Sequence, residues 1–190
     1  VSCHDNHTLF DKLRVSRPDA DLQTLKAMDK LANAVVMTSQ GVPFLHAGSE
    51  MLRTKNEEHN SYNLPDSINQ INWNWKAKNK GVVAYYKNLI AFRKAHPAFR
   101  MTSGEEVREH LVFKRVEDGF ISYQINGHAN GDDWKDILVI YNAKGESVDY
   151  SLEGDWMLGV LGDNFNLEKT ENIEGSIIVP PISMCVLHQK

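Results

Sequence analysis

Residues 21–48 read DLQTLKAMDKLANAVVMTSQGVPFLHAG, and the spacing of their apolar residues decides the first half of the fold. Leu22, Leu25, Met28, Leu31, Ala32, Val35 and Val36 recur at three- and four-residue steps, the spacing of one buried helical face. This predicts a helix over 19–40, opened by Pro18 with Asp19 or Asp21 and closed by Gly41 and Pro43. The next residues, Val42-Pro43-Phe44-Leu45-His46-Ala47-Gly48, form a short apolar run without alternation. Such a run suits a strand buried on both faces.

Working outward, Thr54 to Lys80 is a polar, Asn-rich stretch holding Tyr62, Pro65, Trp73 and Trp75. Loops this long are uncommon inside a compact domain unless they are functional, which makes it a candidate binding loop. Trp73 and Trp75, two apart, would share a face on an extended segment. Helical spacing returns from Gly81 to His96 through Val82, Tyr85, Tyr86, Leu89 and Phe92, and stops before Pro97. After Pro97 the period becomes mostly alternating. Strands are predicted at 107–116, 120–125, 137–142, 147–152, 156–161, 176–179 and 184–188. Turns such as Glu117-Asp118-Gly119 and Ala143-Lys144-Gly145 separate them, an order that reads as an antiparallel β-sandwich. There is no internal repeat and no low-complexity tract. The two halves divide at 1–98 and 99–190, an α+β chain.

The composition, 42% hydrophobic and 24% charged, is that of an ordinary globular protein and excludes disorder as a class. A formal net charge of −4, with no local cluster of Lys and Arg, offers no attraction to nucleic acid or to an anionic membrane. No apolar run approaches the roughly 18–20 residues of a membrane span. Cys3 and Cys185 lie at opposite ends, match no metal or redox spacing, and read as two free buried thiols. The first residues have neither an initiator Met nor a signal core, so the chain reads as cut from something longer, and its compartment is not legible.

His4-Asp5-Asn6 places three polar residues at what looks like the end of a strand. In parallel α/β sheets and barrels, ligands sit at the carboxyl ends of strands; a solvated turn with a helix cap is the alternative. His46 with Glu50, and Glu57-Glu58-His59, lack a helix to hold them at zinc-binding spacing. Asp132-Asp133 and Asp163-Asn164 read as solvated turns rather than calcium ligands. No metal or other cofactor is required.

The stretches Val1-Ser2-Cys3-His4-Asp5-Asn6-His7-Thr8-Leu9, Gly41 to Gly48 and Glu50-Met51-Leu52-Arg53-Thr54-Lys55 resemble the last signature region and eighth strand of type I pullulanases. These are starch-debranching glycoside hydrolases of the α-amylase superfamily. The loop from His59 to Ile71 resembles the pullulanase branch more than amylases at large. Ser49 departs from the pattern, since relatives commonly carry an acidic residue there. The resemblance is sharp over roughly residues 1–100 and architectural beyond.

What the resemblance implies is the last two βα units of a (β/α)8 barrel, with Ser2 to His4 ending strand seven and Phe44 to Ala47 forming strand eight. An antiparallel β-sandwich follows as the C-terminal domain. It also implies an α-glucan substrate cleaved at α-1,6 bonds by a retaining mechanism. Asp5 would be the transition-state-stabilising carboxylate, with His4, Asn6, Tyr62, Asn63 and Asp66 as sugar contacts. The nucleophile and general acid would lie upstream of residue 1, so the chain alone is expected to be inactive. A part-barrel would also leave apolar faces uncovered, favouring self-association. The competing expectation is a non-catalytic carbohydrate-binding or scaffold domain, with Trp134 and Trp156 as its sugar platform.

Overall fold

The computed structural model describes residues 2, 6–165 and 171–190. His4, Asp5 and Cys3 lie outside the described residues, while Cys185 is a buried free thiol. Among the described residues no helix is long and apolar enough to cross a membrane.

The first half is helical. A helix that the apolar spacing does not signal, α1 (Leu9–Ser16), opens with Thr8, whose hydroxyl accepts from the Asp11 amide. The expected long helix is α2 (Leu22–Thr38); its cap is Asp21, which accepts from the Thr24 amide at 2.7 Å. Two short helices, α3 (Asp66–Asn69) and α4 (Asn74–Lys78), punctuate the polar stretch. The second long helix is α5 (Lys80–Ala95), packed against α2.

Residues 42–47 do not form the expected strand, and Val42 is 97% and Phe44 61% exposed. A parallel strand needs a backbone partner at its edges. Every strand pair among the described residues is antiparallel and lies in the second half, so nothing runs alongside. The first half is therefore present as helices without a described sheet, and a barrel is not shown among the described residues.

A second correction falls at 107–110, which continue helix α6 (Gly104–His110) instead of opening a strand. A reciprocal cap decides this: the Glu106 amide donates to Ser103 Oγ, and the Glu106 carboxylate accepts from the Ser103 amide, both at 3.1 Å.

The strands are β1 (Leu111–Glu117), β2 (Phe120–Ile125), β3 (Asp136–Asn142), β4 (Val148–Ser151), β5 (Trp156–Leu161), β6 (Asn164–Phe165), β7 (Asn172–Ile173), β8 (Ser176–Val179) and β9 (Ser183–Gln189). The main sheet runs β1-β2-β3-β9-β5-β6, with β7 also on β5; β4 and β8 form a separate pair. Alternation sorts its two faces. Ile137, Val139, Tyr141, Met184 and Val186 meet α2 and α5 around Leu89, Phe92 and Phe99, while Leu138, Ile140, Cys185 and Leu187 meet Ile177 and Val179 of the β4–β8 pair. The sandwich is thus unequal, a large sheet with a two-stranded one on one face and helices on the other. Fully burying a side chain such as Phe92 contributes about 1.5–3 kcal/mol.

Three polar ties hold the helices to one another and to the second half. Arg93 of α5 donates to the carbonyls of Met37 and Ser39 at 2.8 Å and of Gly41 at 2.6 Å, closing the end of α2. Tyr123 donates to Thr38 O at 2.6 Å, and the Thr38 hydroxyl also meets Tyr141. Asp132, expected in a solvated turn, is buried instead. It pairs with His96 at 3.1 Å and accepts from the Ala98 and Trp134 amides. Trp134 lies flat on His188, with centroids 3.7 Å apart, and against His96 at 3.8 Å. Gly159 makes room for it, since a Cβ there would stand 2.8 Å from the indole. Burial pushes the His188 imidazole down to about 4.

Asp29 of α2 is fully buried; Oδ1 accepts from Tyr86 at 2.9 Å, and Oδ2 has no partner among the described residues. Burial pushes its carboxyl up to about 7, with Glu50 adding in the same direction. The folded-state value lies above the ordinary 3.8, so proton binding favours the folded chain. That contribution is full below the ordinary value and is lost as pH rises through about 7. Asp29→Asn, which cannot ionise, is expected to gain clearly more stability over the parent at about pH 8.5 than at about pH 5. Urea unfolding at both pH values checks this, and an equal shift at the two would refute it.

Candidate functional site

The residues singled out from the sequence lie on two segments, the approach to α1 and the loop between Arg53 and α5. Asn6 is exposed and left-handed at φ 71°, with its Oδ1 accepting from the His7 amide at 2.8 Å. Asn is among the few residues that adopt this conformation readily. Tyr62 is 84% exposed, and Asn63 and Asp66 also face solvent, Asp66 in the first turn of α3. All three side chains are thus free to meet a ligand.

The loop is held from beneath by polar bonds. Its entry is the turn at Gly48, whose φ of 93° and 2.9 Å clearance to Arg53 carbons both require glycine. Arg53, buried, donates to Ala47 O at 3.2 Å and to Asn69 O at 2.5 Å. Asn69 Nδ2 donates to the carbonyls of Ser61 and Leu64 at 2.6 and 2.9 Å, and its Oδ1 accepts from Ser61 Oγ at 2.9 Å. Asn69 therefore spans the turn that displays Tyr62 and Asn63. At the far end Asn79 donates to Met51 O at 3.0 Å.

The two segments come together through residues to which the sequence assigned no part in the site. His7 meets His59 edge to face with centroids 5.9 Å apart, and Arg14 pairs with Glu57 at 3.0 Å. Asp11 bonds both Thr54 and Lys55. Thr8 three residues before Asp11 was the available signal, a capping pattern. Asn6 has no hydrogen bond to the loop among the described residues; its neighbour His7 carries the contact. The burial of His46 pushes its imidazole down, aided by the charges of Arg53 and Lys55.

The aromatic residues separate cleanly. Trp73 is 67% exposed, but the α4 helix that follows it prevents Trp73 and Trp75 from sharing an extended face. Trp134 and Trp156, the sugar platform of the competing reading, are engaged inside the protein: Trp134 is stacked between two imidazoles, and Trp156 is 5% exposed in the core beneath β4–β8.

This sheet places the chain in a defined class. Residues 107–163 match the family model described as the pullulanase all-beta domain. The match lies beyond residue 100, where the sequence was expected to share architecture only. The chain is 37% identical to the pullulanase of Bacillus subtilis strain 168, over 99% of its own length and 26% of that protein's. The solved structure of the Bacillus acidopullulyticus pullulanase superimposes with a TM-score of 0.95 at 42% identity, covering 100% of this chain and 24% of that one. The B. subtilis type I pullulanase complexed with maltose gives 0.94 at 35% identity, covering 100% and 27%. The chain belongs to the pullulanase family, and it spans about a quarter of the length of these relatives.

If Asn69 is what shapes the loop, Asn69→Ala should lose the three bonds at Ser61 and Leu64 while leaving the core intact. The expected outcome is faster proteolytic nicking near Tyr62 and a global stability loss of only about 1–2 kcal/mol. Unchanged nicking would show that the loop is shaped by something else.

Proposed function

We propose that this chain supplies part of the sugar-binding surface of an α-glucan debranching site. In this reading residues 1–98 complete a (β/α)8 barrel with its last two βα units, and residues 99–190 are the β domain that covers the end of the barrel. The observation that carries it is likeness along the whole chain, at 37% identity, to a pullulanase. The solvent-facing Tyr62, Asn63 and Asp66, anchored beside the Asn6–His7 segment, support it locally.

The reaction is retaining hydrolysis of an α-1,6-glucosidic bond. One carboxylate attacks the anomeric carbon and a carboxylic acid protonates the leaving oxygen, the pair roughly 5–5.5 Å apart. Asp5 is neither of these. It accepts the hydroxyls of the distorted glucose, and those bonds strengthen as positive charge develops at the ring. His4 and Asn6 donate to the same sugar. The Tyr62 ring offers its face to the apolar side of a pyranose, and Asn63 and Asp66 bond its hydroxyls. Maltose in the B. subtilis relative is a ligand of this class.

By the resemblance the nucleophile and the acid lie ahead of Val1, and groups that act as a unit lose most of their effect when one is missing. The chain alone is expected to release no maltotriose from pullulan above a no-enzyme control. Placed in B. subtilis pullulanase instead of the matching quarter, it should restore turnover, and Asp5→Asn should then lower kcat by at least about a thousandfold. Turnover that survives Asp5→Asn would overturn the assignment.

The same reading accounts for the uncovered apolar surface. A cavity of about 550 Å3 lies beside α2, lined by Met28, Ala32, Val35, Phe113, Ile121 and Tyr123 among others. The isolated chain should self-associate through this face, with light scattering showing a mass that rises with concentration. A compact monomer at high concentration would count against it.

A further inference from the structure

Two separate segments hold the proposed sugar contacts, and one buried carboxylate lies between them. Asp11 is 0% exposed. Its Oδ1 accepts from Thr54 Oγ1 at 2.5 Å, and its Oδ2 accepts from Thr8 Oγ1 at 2.9 Å and from the Lys55 amide at 2.7 Å. From Lys55 the connection continues, because its Nζ donates to Ser61 Oγ at 2.7 Å and Ser61 Oγ donates to Asn69. A continuous polar path thus runs from the first turn of α1 to the residue before Tyr62.

No residue of the loop from Thr54 to Asn79 belongs to either apolar core. Core packing therefore does not dictate where the loop sits; polar bonds do, and this path ties it to α1. Lys55 answers Asp11 through its backbone while its ammonium turns away to Ser61, so the carboxylate is satisfied by fixed donors and not by a mobile salt bridge.

We propose that Asp11 is the positioning residue of the glucan site, setting the separation between the Asn6 segment and the loop that displays Tyr62, Asn63 and Asp66. The proposal rests on the glucan-binding reading of those residues. Asp11 touches no sugar; it acts through Lys55 and Ser61. Asparagine is nearly isosteric with aspartate, but its amide nitrogen cannot accept from the Lys55 or Thr8 donors. A misplaced sugar-binding loop weakens capture of the substrate, whereas the reacting bond is held by Asp5 and the upstream carboxyl groups.

The test uses the B. subtilis pullulanase carrying this chain. Asp11→Asn should raise KM for pullulan about tenfold with kcat held within about twofold, and Thr54→Ala should shift KM the same way by less. If Asp11→Asn leaves KM unchanged, or lowers kcat alone, while Asp5→Asn abolishes turnover, the positioning role is overturned and the glucan reading stands. If Asp5→Asn leaves turnover intact, both fall. Hydrogen exchange on the chain itself decides the matter where the hybrid gives no activity. In Asp11→Asn the amides of Lys55 and Ser61 to Leu64 should exchange at least about tenfold faster, with those of α2 and β3 unchanged. Undisturbed exchange at Lys55 would overturn the proposal.

Discussion

The end of α2 is the point on which the rest of the chain depends. A helix leaves its last carbonyls without intrahelical partners, and burying them unpaired is costly. Here the partners come from both neighbours. Arg93 of α5 takes three carbonyls and Tyr123 of β2 takes that of Thr38. Because a single guanidinium bonds to Met37, Ser39 and Gly41, the angle at which the chain leaves α2 is fixed along with the distance to α5. The helical layer cannot slide over the sheet without freeing these groups, and the apolar contacts of Leu89, Phe92 and Val139 follow from that registration.

Much of this was legible locally. The apolar spacing and the Asp21 cap marked α2, and strands β2, β3, β5, β8 and β9 fall within a residue or so of where alternation and turns put them. What was not legible depended on partners. Phe44 to Ala47 has the composition of a buried strand, but a strand exists only through its neighbours, and none is described beside it. At 107–110 the Ser103–Glu106 cap outweighed β propensity. Asp132 in an Asp-Asp pair looks like a solvated turn, and only the tertiary approach of His96 and Ala98 buries it. For the site, the exposed residues Tyr62, Asn63 and Asp66 were readable as a motif by resemblance. The residues beneath them, Asp11, Arg53 and Asn69, act through bonds spanning up to 44 positions, which no local pattern announces.

The chain uses two different means of order. Apolar burial assembles the sheet, the helices and the β4–β8 pair, and is tolerant of small displacements. The loop from Thr54 to Asn79 is ordered by directional bonds with narrow geometric tolerance. Separating the two lets side chains that face solvent change without disturbing the cores.

Gly159 carries a different kind of consequence. The indole of Trp134 occupies the space where its side chain would be, and the register of β5 against β9 shifts at the same place, between Leu158 and Val160. Neither position is free to drift alone. In descendants of this sequence a larger residue at 159 becomes tolerable only after Trp134 has shrunk, and a smaller one at 134 leaves a void that 159 is then free to fill. The two sites are bound to a shared history, although 25 positions separate them along the chain.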